Sequence, residues 1–314
     1  MNTDTTEFLW SERYRPHTIK ECILPKNLED MFTAILAKGE TPNMIFSGVS
    51  GVGKTTVAKA LCEELGCDYI VVAGSEDTGI DVLRTRVRSF ASTGSFSGKT
   101  KVVIYDEGDH LNPLTTQPAL RGFIEEFSKN CRFIFTCNYK NRLITHIHSR
   151  APVIEFKIER EDRPAMAARL MKRTKEILAI EGVEYDEKVV AQFLVKYFPD
   201  YRRILLELQN YSFAGKIDEG LLRIGADANL APLIEALKEK SWKKMRTWVT
   251  NNADVDVKTL FRKLFDALEP LIKQIPELVV LTNDYQYKAS FVADAEINLV
   301  AYLTEIMAVC TFKE

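Results

Sequence analysis

The chain has 314 residues, 46% of them hydrophobic and 27% charged. These are globular proportions, sufficient for two or three domains with sizeable cores, and they exclude a disordered or fibrous chain. The 42 basic side chains nearly balance the 44 acidic ones, for a net charge of −2, which excludes a globally basic nucleic-acid binder but leaves room for a local basic patch, because salt screens distant charges beyond about 10 Å.

The first seven residues carry neither a basic stretch nor an apolar one, and no apolar run approaches the ~20 residues of a membrane helix. No secretory signal is expected, and the expected location is the cytoplasm. None of the six cysteines, Cys22, Cys62, Cys67, Cys131, Cys137 and Cys310, forms a CxxC pair, so they read as reduced thiols. His146 and His148 have no second ligand pair to make a zinc site.

Residues 40–156 alternate short β-branched or aromatic runs (44–46, 69–73, 102–105, 133–137 and 153–156) with helical periodicity. This is the pattern of an α/β domain whose mostly parallel sheet is covered on both faces. Helices are predicted at 161–181, starting near Asp162 and Pro164 and stopping at Gly182, then at 186–198 and 201–213. The remainder predicts helices at 232–240, 242–249, 257–275 and 294–309. In the last, Ala295, Leu299, Tyr302, Leu303, Ile306 and Val309 form one stripe. The expected domains are therefore 1–156, a small helical domain at 157–226 and a helical tail at 227–314, the last suited to packing or assembly rather than chemistry.

The sharpest chemical signal is Gly48, Val49, Ser50, Gly51, Val52, Gly53, Lys54 and Thr55, which match GxxxxGK[ST] between a strand and the helix it opens. The glycines let backbone N–H groups cradle phosphate oxygens, and the helix N-terminus adds positive potential. Lys54 is placed to reach the β- and γ-phosphates of ATP and Thr55 to ligate Mg²⁺, with Thr56 continuing the same turn. The strand at 102–105 ends in Asp106 and Glu107. Asp106 suits the metal and Glu107 the attacking water, a pair that favours an ATPase over a kinase. Asn138 ends the next strand and is a candidate for the γ-phosphate or the lytic water. Arg150 lies on the loop Ser149-Arg150-Ala151, where an oligomeric ATPase would use it as a finger in a neighbour's site. Arg202 or Arg203, in Asp200-Tyr201-Arg202-Arg203, is placed to reach phosphates from the helical domain.

In this order, phosphate loop, Asp-Glu pair, strand-end Asn, Ser-Arg loop and helical-domain arginine resemble the AAA+ ATPases. Trp10-Ser11-Glu12-Arg13-Tyr14-Arg15-Pro16 is similar to the segment of sliding-clamp loaders that packs on adenine. Residues 75–81, Phe90-Ala91-Ser92-Thr93, and Gln117 with Leu120-Arg121 strengthen that match. The segments Glu21-Cys22-Ile23-Leu24-Pro25 and Phe198-Pro199-Asp200-Tyr201-Arg202 most resemble the large subunits of T-even-type phages. The resemblance covers nearly the whole chain. It implies a RecA-like domain with a five-stranded parallel sheet, a helical lid, and an all-α collar assembling a five-subunit ring, which in the phage form is a homotetramer with one smaller subunit. It implies that ATP binding opens a ring-shaped clamp and grips primer–template DNA, and that hydrolysis releases the closed clamp. Carried over, Tyr14, Arg15 and Pro16 flank the base, Asn138 is the first phosphate sensor, Arg150 the finger and Arg202 the lid sensor, while Gln117 links DNA contact to the catalytic strand. The chain departs from the family at Ala151 in place of Cys, at Gly108 in Asp106-Glu107-Gly108-Asp109, at Gly122 after Arg121, and at Pro118, which sets a helix start near Thr116.

A helix predicted at 79–91 carries Arg84, Arg86 and Arg88, with Arg84 and Arg88 on one face. Five basic residues face two acidic ones from Asp77 to Lys101. With the resemblance, Arg84, Arg88 and the helix start at Thr78-Gly79 become candidate contacts to DNA phosphates. Binding there would follow backbone shape and salt rather than sequence. Phe90 and Phe96 are candidate clamp contacts, with core packing as the alternative for either. Rival readings are another DNA-acting AAA+ enzyme (a branch-migration motor or helicase loader), a small-molecule P-loop kinase, and a non-hydrolysing assembly subunit.

Overall fold

The computed structural model describes residues 7–76, 79–95, 98–213, 215–222, 229–252 and 257–313. The chain divides into two compact units, Met1–Leu222 and Arg223–Glu314.

In the first unit, α1 (Trp10–Arg13) and α2 (Lys26–Lys38) precede β1 (Met44–Ser47), α3 (Lys54–Leu65) and β2 (Tyr69–Ala73). The next helical stretch is α4 (Ile80–Val82), a π turn (Leu83–Val87) and α5 (Arg88–Ser92). Then come β3 (Lys101–Asp106), α6 (Thr116–Glu126), β4 (Cys131–Cys137), α7 (Thr145–His148) and β5 (Val153–Glu155). The five strands make one parallel sheet in the order β2-β3-β4-β1-β5. Its strands read as unbroken apolar runs because both faces are covered. Successive side chains point to opposite sides. Met44, Phe46, Val102 and Ile104 pack with Phe32 and Leu61 on the α2–α3 face. Ile45, Val103, Tyr105, Phe133 and Phe135 pack with Val87, Leu120 and Ile147 on the other. Register pairs Ser47 with Cys137 and Ala73 with Asp106, so the loops leaving β1, β3 and β4 meet at one carboxyl edge. Ligands bind at that edge in open α/β sheets.

The lid follows as α8 (Arg163–Ile180), α9 (Glu187–Tyr197) and α10 (Tyr201–Ser212). Pro164 sits in the first turn of α8. The Asp186 and Asp200 side chains cap α9 and α10. The helices bury Leu170, Ile177, Phe193, Ile204 and Leu208, and Trp10 of α1 and Tyr14 just after it join the same cluster. The Trp10 N–H donates to Gln209 Oε1 at 2.9 Å. The N-terminal segment thus anchors in the lid, whereas Ile19, Cys22 and Leu24 pack against the sheet.

The second unit is helical: α11 (Ala231–Lys238), α12 (Trp242–Asn251), α13 (Val257–Leu268), α14 (Ile275–Lys288) and α15 (Ala295–Val309). The single helix predicted over 257–275 is corrected. α13 stops at Leu268, two residues before Pro270, and α14, which the periodicity did not suggest, starts at Ile275 with Pro276 in its first turn. Along α15, Leu299, Tyr302, Leu303 and Ile306 are buried as expected, but Ala295 and Val309 at its ends are exposed.

Candidate active site

The phosphate loop leaves β1 and enters α3 with Gly51 and Gly53 at φ +79° and +91°, a left-handed backbone that only glycine adopts without strain. A Cβ on Gly51 would also overlap Asp200, because the start of α10 rests on this loop. The Tyr201 N–H donates to Gly51 O at 3.1 Å. Lys54 turns its ammonium back over the loop, donating to Gly48 O and Val49 O at 2.8 Å each and to Asn138 Oδ1 at 2.9 Å. Burial pulls its pKa down, and the nearby Arg202 adds to that effect while Asp106 and Asp109 oppose it.

Beside it, Asp106 Oδ1 accepts from Thr55 Oγ1 and Thr136 Oγ1, both at 2.5 Å. Thr136 Oγ1 in turn accepts from the Glu107 N–H at 3.1 Å. Glu107 sits at φ +54°, an unfavourable conformation for a side-chain-bearing residue. Close packing holds it there: the Gly74 N–H donates to Asp106 O at 2.6 Å, and a Cβ on Gly74 would overlap the Glu107 carbonyl. The exposed Glu107 carboxylate lines the cavity over the loop. Asp109, given no role from sequence, is buried, and its Oδ2 accepts from the N–H groups of Asn138 and Tyr139 at 3.2 and 3.1 Å. That places Asn138 beside Lys54.

The donor set fits Mg²⁺. Thr55 and Asp106 supply two adjacent hard oxygens at the loop's end, and this ion takes few protein ligands, relying on phosphates and water for the rest. Among the described residues no cluster of three or more His, Cys, Asp or Glu could hold a metal alone.

Beyond the phosphate loop the cavity is lined by Tyr14, Arg15, Pro16, Ile23, Leu24, Leu170, Thr174 and Tyr201. Arg15 bridges Glu12, with its Nε at 3.0 Å from Oε2, and Thr56, with its Nη1 at 3.0 Å from Oγ1. The Tyr14 hydroxyl donates to Glu181, and burial followed by this bond pushes its pKa up to about 12.

A family model described as ATPase family associated with various cellular activities matches residues 44–159, and the sliding-clamp-loader large-subunit AAA+ ATPase lid domain matches 162–223. The sliding-clamp-loader large subunit of Escherichia phage RB69 is 35% identical, with 99% of each chain covered. That of Enterobacteria phage T4 is 37% identical over 95% of this chain and 94% of its own. This chain belongs to the sliding-clamp-loader large-subunit family. It is an ATPase subunit of a sliding-clamp loader, acting in DNA replication. The solved structure of the Holliday junction branch migration motor RuvB of Thermotoga maritima matches at 18% identity and TM-score 0.55 over 81% of this chain and 79% of that one. At that identity the likeness is one of fold.

In this clamp-loader subunit the remaining sequence candidates are held differently from one another. Arg202 is exposed and lines the cavity with the phosphate loop. Arg150 is outside that cavity lining: its Nε donates to Glu125 Oε1 at 3.1 Å, its Nη2 also meets Glu125, and its Nη1 donates to His146 O at 2.9 Å. The helix expected at 79–91 is interrupted by the π turn, which buries Leu83 and Val87 and leaves Arg84, Arg86 and Arg88 exposed. Arg88 pairs with Glu126 at 3.0 Å and lies over the Phe123 ring, whereas Arg84 makes no such contact with a described residue. Phe90 is half-buried against the sheet's core with Lys101 Nζ 4.6 Å from its ring centre. Thr78 and Phe96 lie outside the described residues, and Gly79 immediately precedes α4. α6 starts at Thr116, where Pro118 places it. Gln117 is fully buried: its Nε2 donates to Leu111 O and Arg142 O at 2.9 and 3.1 Å, and its Oε1 accepts from the Ile144 N–H at 2.8 Å. It ties the exit of β3 to the segment between Asn138 and Arg150. Among the described residues no helix is long and apolar enough to cross a membrane.

Proposed function

We propose that ATP binding by this subunit drives opening of a ring-shaped sliding clamp and gripping of primer–template DNA, and that hydrolysis releases the closed clamp on DNA. One observation carries the reading. The phosphate loop, Asp106, Glu107 and Asn138 are joined by hydrogen bonds at one sheet edge, while Arg150 is held outside that cavity on its own chain's Glu125. Such a site is complete only when a second copy supplies its guanidinium.

In this reading Lys54 and Arg202 bind the β- and γ-phosphates, Glu107 deprotonates the attacking water and Asn138 orients it. Mg²⁺ held by Thr55 and Asp106 supplies charge neutralisation at the phosphates when bound. Tyr14, Arg15 and Pro16 flank the base. Arg84, Arg88, Thr78 and Gly79 are assigned to contact DNA phosphates without reading sequence, and Phe90 and Phe96 to meet the clamp. The ATPase domain spans 1–156, the lid 157–226 and the collar 227–314, the collar assembling four copies with one smaller subunit, in the bacterial host's cytoplasm.

The test is ATP turnover by the assembled loader with and without primed DNA and its clamp. Strong stimulation by both is expected. Turnover indifferent to the clamp, with DNA translocation in its place, would refute the reading.

A further inference from the structure

Residues 21–24 line one side of the cavity proposed above to hold the base, and residues of the lid dictate how this segment lies. From α8, Arg169 donates through Nη2 to Cys22 O at 2.8 Å and Lys20 O at 3.3 Å, and through Nη1 to Leu24 O at 3.4 Å. The same Nη1 is 2.8 Å from Glu29 Oε2, which fixes the guanidinium in its plane. From α10, the Tyr201 hydroxyl donates to Ile23 O at 3.2 Å. Lid side chains therefore occupy the carbonyls of 20, 22, 23 and 24. The N–H groups of Ile23 and Leu24 have no hydrogen-bond partner among the described residues, and both residues line the cavity. From α8 the Thr174 hydroxyl, in a residue lining the same cavity, is buried without a partner, a costly state that a bound group with a matching edge would relieve.

Resting on the ATPase reading above, we propose that Arg169 is a positioning residue for base selection: it holds the carbonyls of Lys20, Cys22 and Leu24 on the lid so that this wall offers the base hydrogen-bond donors. An adenine ring presents unprotonated ring nitrogens to such a wall. The Watson–Crick edge of guanine presents its own N1–H and amino donors and is opposed by it. A purine that leaves these donors unpaired loses far more than one that fills them.

The test is nucleotide titration of the full chain with fluorescent ATP and GTP analogues, alongside kcat and KM of the assembled loader. Arg169→Ala is expected to weaken ATP binding about tenfold and leave GTP binding within twofold, collapsing the discrimination. The change should fall on KM rather than kcat. Arg169→Lys keeps the charge beside Glu29 but cannot span three carbonyls, and should lose about threefold for ATP alone. It carries the test if the alanine variant does not fold. Equal losses for both nucleotides, a fall in kcat at unchanged KM, or undiminished ATP preference in Arg169→Lys would overturn the proposal. Failure of the native chain to bind any nucleoside triphosphate would instead overturn the ATPase reading beneath it.

Discussion

Gln117→Leu removes an amide that meets three backbone groups and replaces it with a side chain of nearly the same volume. Leu111 O loses its bond in a fully buried setting, whereas Arg142 O and the Ile144 N–H are half-buried, so solvent can partly replace what they lose. With ~2 kcal/mol for the first and ~1 kcal/mol for each of the others, less ~1 kcal/mol for the added apolar burial, the variant should be destabilised by about 3 kcal/mol. For a unit of this size, that is roughly a 6–12 °C fall in melting temperature. The same three bonds connect the turn after Glu107 to the segment joining Asn138 and Arg150, so stimulated ATP turnover should fall more than the unfolded fraction explains. Calorimetry and ATPase assays at a temperature where both proteins are folded separate the effects. A melting temperature within about 2 °C of native would refute the hydrogen-bond accounting. A large thermal shift with native stimulated turnover per folded molecule would refute the coupling.

Lys54→Ala removes the ammonium from the loop and should weaken ATP binding by ~30-fold or more, read by nucleotide titration. Glu107→Gln should keep ATP affinity and slow hydrolysis ~100-fold or more, seen as ATP retained after a single-turnover mix. Arg150→Ala should leave nucleotide binding near native and cut DNA- and clamp-stimulated turnover ~1000-fold; unchanged stimulated turnover would remove Arg150 from catalysis. Gly51→Ala meets both a positive φ and Asp200, so a loss of ~1–3 kcal/mol and weaker ATP binding are expected in melting and titration experiments.

What the sequence made legible was local. The glycine spacing of the phosphate loop, the apolar run ending in Asp106 and Glu107, and the aspartates capping α9 and α10 each act within a few residues, so their signals survive without knowledge of the fold. What escaped depends on distant partners or on a register change. The π turn at Leu83–Val87 shifts the spacing on which the shared face of Arg84 and Arg88 was predicted, and Glu126 then engages Arg88. Trp10 meets Gln209 across 199 residues. Asp109 and Arg169 are single charges whose partners, the backbone of Asn138 and of 20–24, leave no trace in neighbouring residue types. The break between α13 and α14 was readable from Pro270, and the apolar period across it outweighed that signal.

In the proposed mechanism Asn138 lets the site report on the nucleotide rather than merely hold it. Its backbone N–H is anchored on the buried Asp109, while its side-chain oxygen takes one of the three hydrogen bonds of the Lys54 ammonium. Lys54 has three protons, and Gly48 O, Val49 O and Asn138 Oδ1 account for all of them. A phosphate oxygen that engages Lys54 must therefore displace at least one, and the charged acceptor makes the stronger bond. If Asn138 is the group released, the base of its strand end stays fixed by Asp109 and only its amide turns free, within reach of the water or phosphate that Lys54 has just drawn in. Asp109→Asn would weaken that anchor without touching the nucleotide. The expected result is a slower hydrolysis step at near-native ATP affinity; a change confined to affinity would show that Asn138 is held for binding alone.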